Sequence, residues 1–153
     1  MGTGYFTQPS LCADRIVFVC EDDLWEVDSS GGQARRLTNS RSEIKTPYLD
    51  PSGKWIACCA KEEGDPDVYL MSADGGPLTR LTWLNSVTRI VGWTPDGSSI
   101  LFHSIHQAVH HRGSDAWLFK VGVDGGPVQR LPFGPAVSLN YQQKGPGIVL
   151  ARN

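Results

Sequence analysis

Val68-Tyr69-Leu70-Met71-Ser72-Ala73-Asp74-Gly75-Gly76-Pro77-Leu78-Thr79-Arg80-Leu81-Thr82 reads as an apolar run, a glycine-rich turn and a short polar run. The phrase occurs twice more. It is Leu24-Trp25-Glu26-Val27-Asp28-Ser29-Ser30-Gly31-Gly32-Gln33-Ala34-Arg35-Arg36-Leu37-Thr38 upstream, and downstream it runs from Ala116-Trp117-Leu118-Phe119 through Gly125-Gly126 to Arg130-Leu131-Pro132. The Gly-Gly pairs begin at residues 31, 75 and 125, at intervals of 44 and 50. A second phrase repeats out of phase, Asp50-Pro51-Ser52-Gly53 and Thr94-Pro95-Asp96-Gly97, with its closing glycines again 44 apart. Periods of about 40–50 residues that hold four strand-like pieces are the mark of a β-propeller blade.

The second unit shows the reasoning. A short strand over 44–49 closes at Asp50-Pro51-Ser52-Gly53, where Pro51 presets φ and Gly53 supplies backbone angles that a side chain would block. The run 55–61 is almost continuously apolar, as expected of a strand covered on both faces. A third strand over 67–72 leads into Ala73-Asp74-Gly75-Gly76, a strong hairpin signal, and 79–82 is a short polar outer strand. The same reading places strands at 15–20, 23–28 and 33–37 in the first unit. In the third unit it places them at 89–93, 99–104, 115–121 and 128–131. A fourth unit opens with 136–141 and 147–152. No window carries an apolar pattern of helical period. The fold class is therefore all-β.

The units divide the chain (1–153) into a first blade over 5–38, a second over 44–82, a third over 88–132 and the start of a fourth over 135–153. Propellers close as rings of 4–8 blades, which removes their sheet edges. About three and a half blades are thus expected to belong to a longer propeller, one of six blades. The 17 glycines and 10 prolines, about 18% of the chain against a usual ~12%, are the turns between its many short strands.

Composition excludes several functions. A formal charge of −2 is too balanced for nucleic-acid binding driven by phosphate neutralisation. Apolar runs such as 16–20 and 56–60 fall far short of the ~18 residues of a membrane helix. The opening Met1-Gly2-Thr3-Gly4-Tyr5-Phe6 has no basic cluster followed by an apolar run, so no secretory signal is read there. The expected partners include neither nucleic acid nor a membrane. Cys12, Cys20, Cys58 and Cys59 have no C-x-x-C spacing, and the last three read as small hydrophobes within strands. A reducing, cytoplasmic setting follows.

The repeat, with a P-D-G turn before an apolar strand and D-x-[WY] opening the next, resembles the WD-like propeller repeats shared by Tricorn protease and TolB. Asp14-Arg15-Ile16-Val17-Phe18-Val19-Cys20-Glu21-Asp22-Asp23-Leu24-Trp25-Glu26-Val27-Asp28 is similar to the opening strand pair of the Tricorn protease family. Leu81-Thr82-Trp83, Val91-Gly92-Trp93-Thr94-Pro95-Asp96-Gly97, Leu131-Pro132-Phe133-Gly134-Pro135-Ala136 and the terminal Val149-Leu150-Ala151-Arg152-Asn153 continue the likeness. The resemblance implies the N-terminal propeller of a large, self-compartmentalising cytoplasmic serine peptidase that degrades oligopeptides downstream of the proteasome. Its propellers would form part of a peptide passage and of the subunit contacts. The family's catalytic residues lie beyond the matching segment, so none is carried onto this chain. A basic loop that holds the substrate's C-terminus in the family has Arg89 as its nearest counterpart. The alternative is a non-enzymatic, TolB-like scaffold for protein–protein interaction.

Other residues invite chemistry and resist it. His103, His106, His110 and His111 crowd one segment between two strands, but no Cys or paired carboxylate completes a metal set, and a solvated or channel-facing loop is expected. Ser114 beside Asp115 lacks the G-x-S-x-G elbow and a following helix. Asp115 aligns instead with Asp23 and Asp67, as an acid that accepts turn hydrogen bonds at the start of a third strand. Trp25, Tyr69 and Trp117 occupy equivalent positions, fit for packing between blades. Arg35 and Arg36 read as a charged outer edge. The glycine pairs are hairpins rather than phosphate loops. No catalytic, metal or cofactor site is assigned, and no cofactor is expected.

Overall fold

The structure, a computed structural model, describes residues 5–39, 42–62, 64–106, 116–142 and 147–152. It holds fourteen strands among the described residues and no helix. Three four-stranded antiparallel sheets follow one another, each in the up-and-down order of the chain. The first contains β1 (Phe6–Cys12), β2 (Arg15–Cys20), β3 (Asp23–Asp28) and β4 (Arg35–Arg36); the second contains β5 (Glu43–Leu49), β6 (Trp55–Lys61), β7 (Asp67–Ser72) and β8 (Thr79–Arg80). β9 (Thr88–Trp93), β10 (Ser99–Ser104), β11 (Trp117–Gly122) and β12 (Gly125–Pro135) form the third sheet, and the pair β13 (Ser138–Tyr141) and β14 (Ile148–Ala151) follows it.

The core lies between sheets, because a blade's middle strands have no solvent face. Val17, Val19 and Leu24 of the first blade pack on Ile44, Ile56, Cys58, Tyr69 and Met71 of the second. The opposite face of β6 and β7, with Ala57, Cys59, Val68 and Leu70, packs on Ile90, Ile100, Phe102 and Phe119 of the third. Leu101 and Leu118 then meet Ala136 and Leu139. β6 is thus buried on both sides over Ile56–Ala60, which explains its unbroken apolar run. Tyr69 is fully buried between the first two blades, as its repeat position requires. The other equivalent aromatics are half-buried: Trp25 donates from its indole to Cys20 O, and the Arg130 guanidinium lies 4.3 Å over the Trp117 ring.

The turns follow their sequences. Gly53 N donates to Asp50 O at 3.0 Å, and Gly53 takes φ +70, a left-handed value open to glycine at no steric cost. Gly75 N closes the β7–β8 turn on Ser72 O, and both Gly75 and Gly76 have positive φ.

The outer strands depart from the repeat pattern. β4 and β8 have only two residues each, whereas β12 has eleven. In the first two blades a threonine ends the strand: Thr38 Oγ1 accepts Leu24 N and Thr82 Oγ1 accepts Val68 N. The matching residue of the third blade is Pro132, which offers no hydroxyl. There the outer chain runs on, and Ala136 N reaches Ala116 O. Leu81 N makes the equivalent bond to Val68 O, so the sequence match of Leu131 to Leu81 does not carry the anchor with it. The strand β1, which the repeat reading does not single out, completes the first blade.

Candidate functional site

The first strands of successive sheets are neighbours: β1 lies beside β5, β5 beside β9, and β9 beside β13. They face the propeller axis, and a repeated irregularity joins them. β1 slips register on β2 between Thr7 and Ser10, and β5 slips on β6 between Lys45 and Tyr48. Both slips hold an X-Pro pair, Gln8-Pro9 and Thr46-Pro47, with Gln8 at φ 54 and Thr46 at φ 48. Proline lacks the amide that the bulge would leave unpaired. Each bulged side chain then reaches the next blade. Gln8 Oε1 accepts Thr46 N at 2.6 Å, and Thr46 Oγ1 accepts Ile90 N at 3.3 Å. Ser10 Oγ accepts Leu49 N at 3.0 Å, and the Trp93 indole donates to Tyr48 O at 2.9 Å. The inner wall is thereby tied blade to blade by hydrogen bonds that no single blade makes.

At the C-terminal ends of these strands opens a groove of about 550 Å³, lined by Leu11, Tyr48, Val91, Trp93, Leu139, Asn140, Tyr141, Gln142 and the turn residues beside them. Among the described residues Asp50 is its one charged residue, and it is buried. Its Oδ1 accepts the amides of Lys54 and Trp55 at 2.8 Å, and its Oδ2 accepts Ser52 N and Oγ at 3.0 and 2.5 Å. Burial pushes the carboxyl up, but these bonds outweigh it and hold it below the ordinary aspartate value. The charges of the inner strands sit at the other end, on Glu43, Lys45 and Arg89. There Lys45 Nζ pairs with Glu43 Oε1 at 2.5 Å.

A second concavity of about 360 Å³, lined by Phe6, Thr7, Pro9, Ile16, Phe18, Val27 and Ala34, is the outward face of the first blade. Phe6 meets Phe18 edge to face at 5.3 Å yet remains 66% exposed.

Of the residues that invite chemistry, Arg89 is exposed at the start of β9 and sits opposite His103 of β10. Burial, with a smaller push from Arg89, holds the His103 imidazole below its usual value. His106 packs edge-on to Phe119 at 6.1 Å. His110, His111, Ser114 and Asp115 lie outside the described residues. Among those described, no group of three His, Cys, Asp or Glu side chains is placed to hold a metal ion.

The aspartates that open the third strands do more than close turns. Asp67 is 1% exposed; its carboxylate accepts Thr82 Oγ1 at 2.7 Å, Leu84 N at 2.9 Å and Arg80 Nη2 at 2.5 Å. Asp23 takes Thr38 Oγ1 at 2.6 Å and Arg36 in the same way. They clamp the outer strand to the third. The arginine pair is correspondingly no bare charged edge. Arg36 completes the Asp23 clamp, and Arg35 chelates Glu26 Oε1 through Nε and Nη2 while its Nη1 donates to Asp74 O of the next blade. Arg15 crosses the same junction to Asp74 Oδ1 at 2.9 Å and Gly53 O at 3.4 Å. The four cysteines are free thiols. Cys20, Cys58 and Cys59 are buried, and burial raises Cys58 and pushes Cys59 up to about 11.

Neither the groove nor the bulge clasps are visible from spacing alone, although the shared X-Pro pairs are the signal that could have exposed the clasps.

Residues 3–153 match the family described as the Tricorn protease N-terminal beta propeller domain. The chain belongs to that family. Tricorn protease homolog 1 of Streptomyces coelicolor is 32% identical over 147 residues, 95% of this chain and 13% of its own length. The crystal structure of the tricorn protease superposes with a TM-score of 0.78 at 26% identity, covering 92% of this chain and 14% of that one. TolB from Acinetobacter baumannii superposes at 0.76 with 23% identity, over 96% of this chain and 37% of that one, a likeness of fold. This Tricorn N-terminal propeller segment thus spans about an eighth of the Streptomyces relative's length.

Proposed function

We propose that this segment is a non-catalytic wall of the peptide passage in a Tricorn-type, self-compartmentalising serine peptidase of the cytoplasm. In that reading it also contributes to contacts with the remainder of the parent chain and with further subunits of the homo-oligomer, and the whole propeller has six blades. The observation that carries the reading is the inner wall, in which β1, β5 and β9 are tied laterally, β13 lies beside β9, and the four strands border one continuous groove. Family membership supports it, because peptides must reach and leave an enclosed protease. The near-equal superposition on TolB keeps a second reading, a non-enzymatic scaffold for protein–protein interaction. In that case the contacts would fall on outer surfaces rather than the axis.

The two differ in where a peptide touches. An unstructured dodecapeptide carrying a photoreactive benzophenone is expected to cross-link to residues of β1, β5, β9 and β13, as read by mass spectrometry of the digested chain. Cross-links confined to β4, β8 and β12 would overturn the passage reading in favour of the scaffold.

A further inference from the structure

We propose that the groove at the C-terminal ends of the inner strands is a selectivity element that holds uncharged, apolar stretches of peptide and disfavours charged ones. The inference rests on the passage reading and adds the chemical class of peptide. It follows from the charge inventory of the wall. β1 and β13 carry no charged residue, and β5 and β9 carry theirs only near their first residues. Among the described residues that line the groove Asp50 is the one charge, and four donors within 2.5–3.0 Å already occupy its two oxygens. A charged side chain entering there would shed hydration without gaining a counter-ion. An apolar side chain would instead cover Leu11, which is 64% exposed, and Tyr48, which is 36% exposed.

The polar groups that remain suit a peptide backbone. Asn140 and Gln142 present exposed amide side chains at the groove's edge, and each carries both a donor and an acceptor, as a peptide unit does. Tyr48 and Tyr141 add amphipathic rings that can cover a side chain at low entropic cost. Gly92 keeps the wall open at its centre, where a Cβ would meet nothing within 4 Å. Its φ of +149 also disfavours any side chain there.

The test uses the full 153-residue chain and three octapeptides with acetylated and amidated ends: one uncharged with two leucines, and two in which these become glutamates or lysines. Calorimetric titration is expected to show the leucine peptide binding at least tenfold tighter than either charged one. Leu11→Ala and Tyr48→Ala, both at exposed positions and checked by unchanged circular dichroism, should each weaken it about fivefold. Tyr48→Lys should bring the glutamate peptide closest to the leucine peptide. Equal binding of all three peptides, weakened alike by Tyr48→Ala, would overturn the selectivity while leaving the passage standing. Binding lost in Phe6→Ser but not in Leu11→Ala would place the contact on the first blade's outward face and overturn the proposal. Binding of none of the peptides would overturn selectivity and passage together.

Discussion

Asp96 illustrates how a turn residue becomes a stability element. Thr94 Oγ1 donates to its carboxylate at 2.6 Å, and Ser98 adds its amide and hydroxyl at 2.9–3.0 Å. The bond from Thr94, followed by those from Ser98, draws the carboxyl down to about 2 from an ordinary 3.8. A depressed folded value means that the unfolded chain takes up the proton first. The stabilisation is therefore complete above the ordinary value and is lost as pH falls toward about 2. Urea midpoints measured between pH 2 and 5 should rise with pH in the native chain and rise less steeply in Asp96→Asn. An identical slope in the two would show that Asp96 is not the source. Asp28, Glu43 and Asp50 are lowered as well, so the variant should keep part of the slope.

Among the elements, the outer strands show what a single side chain decides. Asp67 binds Arg80, Thr82 and the amide of Leu84 at once, and this clamp holds a strand of only two ladder residues. Removing one partner from a buried ionic cluster leaves the others desolvated and unpaired, at a cost of about 3 kcal/mol. Asp67→Ala should therefore lower stability by about 3 kcal/mol, and Thr82→Val by about 1 kcal/mol, as read by chemical denaturation. Protease cleavage should become faster near β8 before it does elsewhere. An Asp67→Ala chain as stable as the native one would remove the clamp from the account. Where Pro132 replaces the threonine, β12 extends to Pro135. Its three prolines, Pro127, Pro132 and Pro135, have no amide to offer an incoming strand, which guards a long edge.

For the molecule as a whole, the first blade's outward face is the chief liability. Phe6, Ile16, Phe18 and Val27 form an apolar surface there, and Val149 is 68% exposed on the last sheet. Exposed apolar area of this kind favours association. Sedimentation velocity on the 153-residue chain should show concentration-dependent self-association, and Phe6→Asp should shift it toward monomer. A native chain that stays monomeric at high concentration would contradict this.

The all-β class, the blade repeat and the family were legible in the sequence. The repeat is a local alternation of turn and strand, and Asp50-Pro51-Ser52-Gly53 or Gly75-Gly76 dictate their own backbone angles wherever they fall. The residues equivalent to Asp67 and Tyr69 were legible too as a pattern, though the reach of Asp67 to Thr82 and Arg80 was not. Tertiary structure alone decided what lies between blades. The Gln8–Thr46–Ile90 clasps, the Arg35 and Arg15 bridges to Asp74, and the groove from Leu11 to Tyr141 each join residues of different repeats. Such contacts depend on how neighbouring sheets are staggered. That stagger is set by bulges and side-chain packing across the interface, which a pattern read along one strand does not contain.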